Sequence, residues 1–385
     1  MFKDRWSKYS SNESYRDELI QYISNRIGKP PVPYKSSGLL AQDPQFVFRG
    51  DPSFRYHDVL GYKNYTVPTS ASILCLGNSH VHDTTHPIDT NWTWLLQSQT
   101  EKSVYNGSIG GSSIIQALLS LEELLYLQPN CVILSLYTGT HFYNSVSTID
   151  QIFHAQNVLE SKYVNFYELF RHFYVDNWRT MPAEKLAWWR RVNTMELVNN
   201  DMQQAFIKKY VENGKESAIK ANIIPEDLLQ FNNFCLLADT PLSLHLPART
   251  ILQDPYYKPV AQTIEVITTC LDIFYKISTK YNFSPILLLL PTKEFVLHQA
   301  LKFNRDLIVF DEEQLEEHAR IEMNSINFVH DICRMHGIYF IDPTLELARH
   351  CKKESAYRIQ GLNGHPNDAG KAIIARKVAQ YIKEL

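Results

Sequence analysis

Ser72-Ile73-Leu74-Cys75-Leu76-Gly77-Asn78-Ser79-His80 is the stretch on which the reading of this chain turns. Its first five residues form an apolar run of strand length, too short for a helix and bounded by a glycine. Gly77 lets the backbone reverse closely, which leaves Ser79 exposed at the start of whatever helix follows. Open α/β sheets collect their chemistry at the carboxyl ends of strands, where this serine would sit. Near the other end of the chain, Asn363-Gly364-His365-Pro366-Asn367 precedes an amphipathic helix. A first-strand hydroxyl and an imidazole before a last helix can meet in such a sheet, and the pair suggests nucleophilic ester chemistry.

Working outward, further apolar runs recur at Ser103–Tyr105, Cys131–Leu136, Pro285–Leu290 and Ile338–Ile341. They do not alternate cleanly, as expected of strands buried on both faces. Helical periodicity separates them. Ile114, Leu118, Leu121 and Leu125 share one face, as do Val260, Ile264, Ile267, Leu271, Phe274 and Ile277. Leu315, Ala319, Met323, Ile326, Val329 and Ile332 do the same, and Ala369, Ile373, Val378 and Ile382 mark a terminal helix from about Asp368, which reads as its cap. Strand–helix alternation predicts an α/β three-layer sandwich with a mainly parallel, doubly wound sheet. Residues 1–70 read as a short helix (about Glu13 to Ile27) followed by an extended arm. Residues 71–385 read as the α/β domain. Between about 145 and 254 the rhythm disappears into an aromatic stretch with Trp178, Trp188 and Trp189, which predicts a helical insertion capping the sheet.

Composition narrows the function classes. A net charge of −3 and a pI near 6.5 give no reason to expect nucleic acid or an anionic membrane as partner. No apolar run approaches bilayer length and no leader is visible at Met1–Lys8, so the expectation is a cytoplasmic protein without a membrane span. The six cysteines form no close Cys-x-x-Cys pair and read as small apolar residues in a reducing compartment. Asn64, Asn91 and Asn106 match the N-x-[ST] pattern, a weak signal by itself.

The motifs around the serine and histidine resemble the SGNH (GDSL-type) hydrolases over about 71–141 and 285–385. Gly77-Asn78-Ser79 is similar to that family's first block, Gly-Asp-Ser, and Val104-Tyr105-Asn106-Gly107-Ser108-Ile109-Gly110-Gly111 to its second. Val132–His141 occupies the place of the third, and Asn363-Gly364-His365-Pro366-Asn367 with Gly370 that of the last. The resemblance implies a serine esterase with Ser79 as nucleophile, His365 as base, the Gly111 N–H in the oxyanion hole, and no cofactor or metal. It implies a small-molecule or glycan acyl ester as substrate, an O-acetyl group on carbohydrate or a lipid ester, and leaves oligomeric state open.

Two positions depart from the family pattern. Thr140 stands where the oxyanion asparagine is expected, and loss of one such donor costs about a hundredfold to a thousandfold in rate. Asn363 stands where an acid would orient the histidine, a change that costs about ten-thousandfold in the serine-protease template. Asp342 and Asp83 are the carboxylates that could substitute. These departures motivate the alternative of a weakened scaffold that binds a glycan or protein; an acyltransferase using the same pair is a further alternative that sequence does not separate from a hydrolase. His80, His82, Asp83 and His86, with His141, form a second constellation open to metal binding, although their spacing matches no established motif. Trp188, Trp189, Arg190 and Arg191 read either as a sugar- or anion-binding group or as the solvated face of a helix.

Overall fold

A computed structural model describes residues 12–26, 39–43, 46–83, 86–141, 144–145, 148, 233–237, 240–244, 258–303, 308–309, 312–351, 354–357 and 364–384. Its centre is a five-stranded parallel sheet. The strands are β3 (Ile73–Leu76), β4 (Val104–Asn106), β5 (Cys131–Tyr137), β8 (Ser284–Leu290) and β10 (Tyr339–Ile341), ordered β4-β3-β5-β8-β10. All four pairings are parallel, so each strand needs a crossover to reach the next.

Both sheet faces are apolar, and side-chain alternation divides them. Leu74, Leu76, Val132, Leu134, Leu136, Leu287 and Leu289 join one core cluster. Ile73, Cys75, Cys131, Ile133, Ile286, Leu288, Leu290 and Ile341 join another. Against the first lie α4 (Ile114–Leu124), α5 (Lys258–Tyr281) and α7 (Glu312–His336); against the second lie α3 (Trp92–Thr100) and α9 (Asp368–Glu384). The sheet is therefore covered on both sides, as the unalternating apolar runs predicted. Trp92 and Leu96 of α3 meet Ile374, Val378 and Ile382 of α9 in that second cluster.

Strand order places the reaction side. The chain runs from β3 out to β4 at one edge, then returns past β3 to β5 and continues to β8 and β10. Direction reverses between β3 and β5, and ligands favour the crevice at such a reversal. Right-handed crossovers explain why α3 lies on one face while α4, α5 and α7 lie on the other.

The amino-terminal arm is more structured than expected. Helix α1 (Asn12–Arg26) buries Tyr15, Leu19 and Ile23 against the main core. The segment read as extended contains a hairpin, β1 (Leu40–Asp43) with β2 (Val47–Gly50). Arg49, fully buried, clamps that hairpin onto the domain. It donates to Asp43 at 2.5 Å and to Glu123 of α4 at 2.8 Å, and Tyr62 also donates to Glu123 at 3.0 Å.

Of the stretch expected to be a helical cap, residues 149–232 lie outside the described residues. At its far end β6 (Asn233–Leu237) and β7 (Thr240–Leu244) form an antiparallel hairpin, extended by β9 (Ile308–Val309). The tryptophan and arginine group at 188–191 lies outside the described residues, as does residue 363. Among the described residues no helix is long and apolar enough to cross a membrane. Five cysteines there are buried and outside any disulfide. Two further helices, α6 (Lys293–Ala300) and α8 (Thr344–His350), follow β8 and β10.

Candidate active site

Ser79 begins a single helical turn, α2 (Ser79–His82), directly after β3. Gly77 makes that turn possible. Its φ of +151° is one that side chains rarely adopt, and an added Cβ would lie 2.7 Å from Val81 Cγ2 and 3.1 Å from Ser135 Cβ. Asn78 caps the turn, its side chain accepting from the His80 N–H at 3.0 Å.

The carbonyls at the far end of α2 are held by side chains from two neighbouring elements. Asn91, the cap of α3, donates to Val81 O at 2.8 Å and to His82 O at 3.3 Å. Asn106, at the end of β4, donates to Val81 O at 3.0 Å, and Trp92 Nε1 donates to His80 O at 3.2 Å. Asn91 and Asn106 are buried in these roles, so their N-x-[ST] matches mark structural amides. Sequence reasoning gave Asn91 no part in the site. Its capping signal, Asn before Trp-Thr at a helix start, was visible.

His365 reaches the same place from the other end of the chain. Its ring stacks on His80, the residue after Ser79, with centroids 4.2 Å apart and planes 16° apart. His80 stacks in turn on Tyr137 at the end of β5, at 3.6 Å and 24°. The His80 Nε2–H also points at the Gly364 carbonyl, 3.2 Å away. The serine turn and the histidine loop are thus in contact across the strand-order reversal.

The His365 loop is fixed on its carboxyl side by Asn367. Asn367 donates to Ser355 O at 2.6 Å, and its Oδ1 accepts from the Gly370 N–H at 3.0 Å. Asn367 is therefore the residue that caps α9, one position before the Asp368 expected from sequence. Gly370 is required where α9 crosses the 355–357 segment, since a Cβ there would stand 2.2 Å from Ala356 O.

A buried ion pair joins the two loops a second time. Asp83, closing α2 in a left-handed conformation, meets Lys371 of α9 at 2.8 Å. Lys371 also reaches Asp368 at 3.0 Å, and Lys63 donates to the Asp83 carbonyl. Asp83 is thus engaged by a cation. The other carboxylate considered for orienting His365, Asp342, accepts from the Thr344 N–H at 2.8 Å and from its hydroxyl, at the start of α8. Burial raises the Asp342 carboxyl, against the lowering effect of these bonds.

The oxyanion candidates lie in the turns that follow β4 and β5, the strands on either side of β3. Gly111 sits at φ +77° in the turn after β4, where Phe48 lies 3.9 Å from an added Cβ. Among the described residues, neither the Ser79 nor the Gly111 N–H is used in a backbone hydrogen bond outside regular elements. Thr140 lies in the turn after β5, its carbonyl accepting from Asn144 at 2.7 Å. That turn is anchored by His141, fully buried, whose Nδ1 accepts from the Tyr137 N–H at 3.0 Å. Burial pushes His141 down to about 3, so the ring is neutral.

The histidine-rich constellation disperses. His80 belongs to the aromatic stack, His82 packs edge-on against His57 at 4.9 Å, and His86 meets Asp83 at 3.3 Å. Among the described residues no group of three or more His, Cys, Asp or Glu is placed to hold a metal ion. Neither a scan against protein-family models nor a search of curated proteins returns a match.

Proposed function

We propose that this chain is an SGNH-like serine esterase acting on an acyl ester, an O-acetyl group on carbohydrate or a lipid ester. The observation that carries the reading is the 4.2 Å stack of His365 on His80, which puts the imidazole beside the Ser79 turn at the carboxyl end of β3. In this reading Ser79 Oγ attacks the acyl carbonyl while His365 takes its proton. The oxyanion then draws on the N–H groups of Ser79 and Gly111 and on Thr140. His365 returns the proton to the departing alcohol, and water, activated by the same ring, releases the acid from Ser79.

Hydrolysis of p-nitrophenyl acetate by wild type, Ser79→Ala and His365→Gln tests this. Wild-type turnover is expected, with both variants reduced by at least about a hundredfold, the usual worth of positioned acid–base catalysis. Equal rates in all three would remove Ser79 and His365 from any mechanism. No turnover in wild type, together with saturable glycan binding, would favour the weakened binding scaffold.

A further inference from the structure

We propose that His80 sets the orientation of His365 by ring stacking. The inference rests on the Ser79–His365 reading for its catalytic meaning, but its geometry stands independently.

His80 is buried and held at both ends of its backbone unit. Its N–H donates to Asn78 Oδ1 at 3.0 Å, and its carbonyl accepts from Trp92 Nε1 at 3.2 Å. Its ring is fixed from below by Tyr137, 3.6 Å between centroids. Tyr137 itself lies against Gly139, where an added Cβ would fall 2.5 Å from the phenol ring. The stack is thus founded on β5, passes through α2 and ends on His365. His80 also grips the backbone before His365, through its Nε2–H and the Gly364 carbonyl at 3.2 Å.

A face-on stack has a particular chemical merit. It constrains the plane of the His365 ring through its face, without itself engaging either ring nitrogen. A carboxylate fixes the same plane only by occupying one nitrogen. The two carboxylates that sequence offered for that task are committed to Lys371 and Thr344. A phenylalanine at position 80 would keep the flat face but lose the donor to Gly364. A leucine would keep bulk and lose both.

The test uses the full chain labelled with ¹⁵N in its histidine rings, with His365 signals identified by their loss in His365→Gln. His80→Phe is expected to keep the His365 ring protons displaced by the neighbouring ring, and His80→Leu to move them toward solvent-exposed values. In parallel, the rate of fluorophosphonate attachment to Ser79 is expected to fall about a hundredfold in His80→Leu, the cost of a misplaced reacting group, and to be largely restored by His80→Phe. His365 signals unchanged in His80→Leu would overturn the proposal whatever the attachment rate. An attachment rate lowered equally in both variants would overturn orientation by stacking. Expected ring shifts with no attachment to wild type would uphold the stack and sink the ester chemistry alone.

Discussion

Gly77 carries both a steric and a conformational demand next to Ser79. With Val81 Cγ2 only 2.7 Å from a built Cβ and φ at +151°, Gly77→Ala must displace either α2 or β5. A loss of about 1–3 kcal/mol is expected in urea unfolding, with a slower Ser79 reaction because the displaced turn carries the proposed nucleophile. His141 makes a prediction about acid. Burial holds it near 3 when folded, below its ordinary value of 6.5, so its contribution is complete above pH 6.5 and is lost as pH falls toward 3. The slope is about 1.4 kcal/mol per pH unit for one proton. His141→Asn keeps an acceptor near the Nδ1 position for the Tyr137 N–H without titrating. The unfolding free energy of wild type relative to this variant should therefore fall, by about 1.4 kcal/mol per pH unit, as the pH is lowered from 6.5 to 4. A constant difference would deny His141 this role.

Between elements, the Lys371–Asp83 pair is the strut joining the start of α9 to the end of α2. Both side chains are almost wholly buried, so removing one charge deprives the other of a close buried counter-charge. Lys371→Met is expected to cost about 3–5 kcal/mol, and the double variant Asp83→Asn/Lys371→Met less, because no lone charge remains. Equal losses for the single and double variants would mean the pair does not couple the two loops. A second buried network stiffens the sheet's carboxyl side. Glu322 of α7 accepts from the Thr292 N–H at 2.9 Å, the Thr138 hydroxyl at 2.5 Å and His318 at 3.0 Å. It links the ends of β5 and β8, and thereby supports the turn that carries Thr140.

Over the whole molecule, Arg49 ties the arm to the sheet domain beside the apolar packing of α1 and the hairpin. Arg49→Met leaves Asp43 and Glu123 buried without their cation, and a loss of about 3–5 kcal/mol in a single unfolding transition is expected. Retention of wild-type stability would mean the arm is dispensable. The central sheet was legible in sequence because burial on both faces forces unbroken apolar runs: all five parallel strands fall where the apolar runs put them, and α4, α5, α7 and α9 where apolar periodicity put them, whereas α3, α6 and α8 were not read. Hairpins β1–β2 and β6–β7 were not, since Leu40-Ala41-Gln42-Asp43 and Thr240-Pro241-Leu242-Ser243-Leu244 carry mixed patterns that tertiary pairing alone resolves. Ser79 and His365 could be singled out by their positions after a first strand and before a last helix. The His80 stack could not, because it joins residues nearly three hundred positions apart, and histidine beside a candidate nucleophile reads equally as a metal ligand or a cleft-mouth residue. The ion pairs of Asp83 and Arg49 were hidden for the same reason: a charged side chain declares its burial only through partners distant in sequence.

The central claim is that Ser79 is a nucleophile made reactive by His365. Intact-mass measurement after incubation with a fluorophosphonate, followed by peptide mapping, tests it most directly. The expected result is a single adduct on Ser79 in wild type, absent in Ser79→Ala and formed at least about a hundredfold more slowly in His365→Gln. An adduct that persists in Ser79→Ala, or forms at the wild-type rate in His365→Gln, would contradict it.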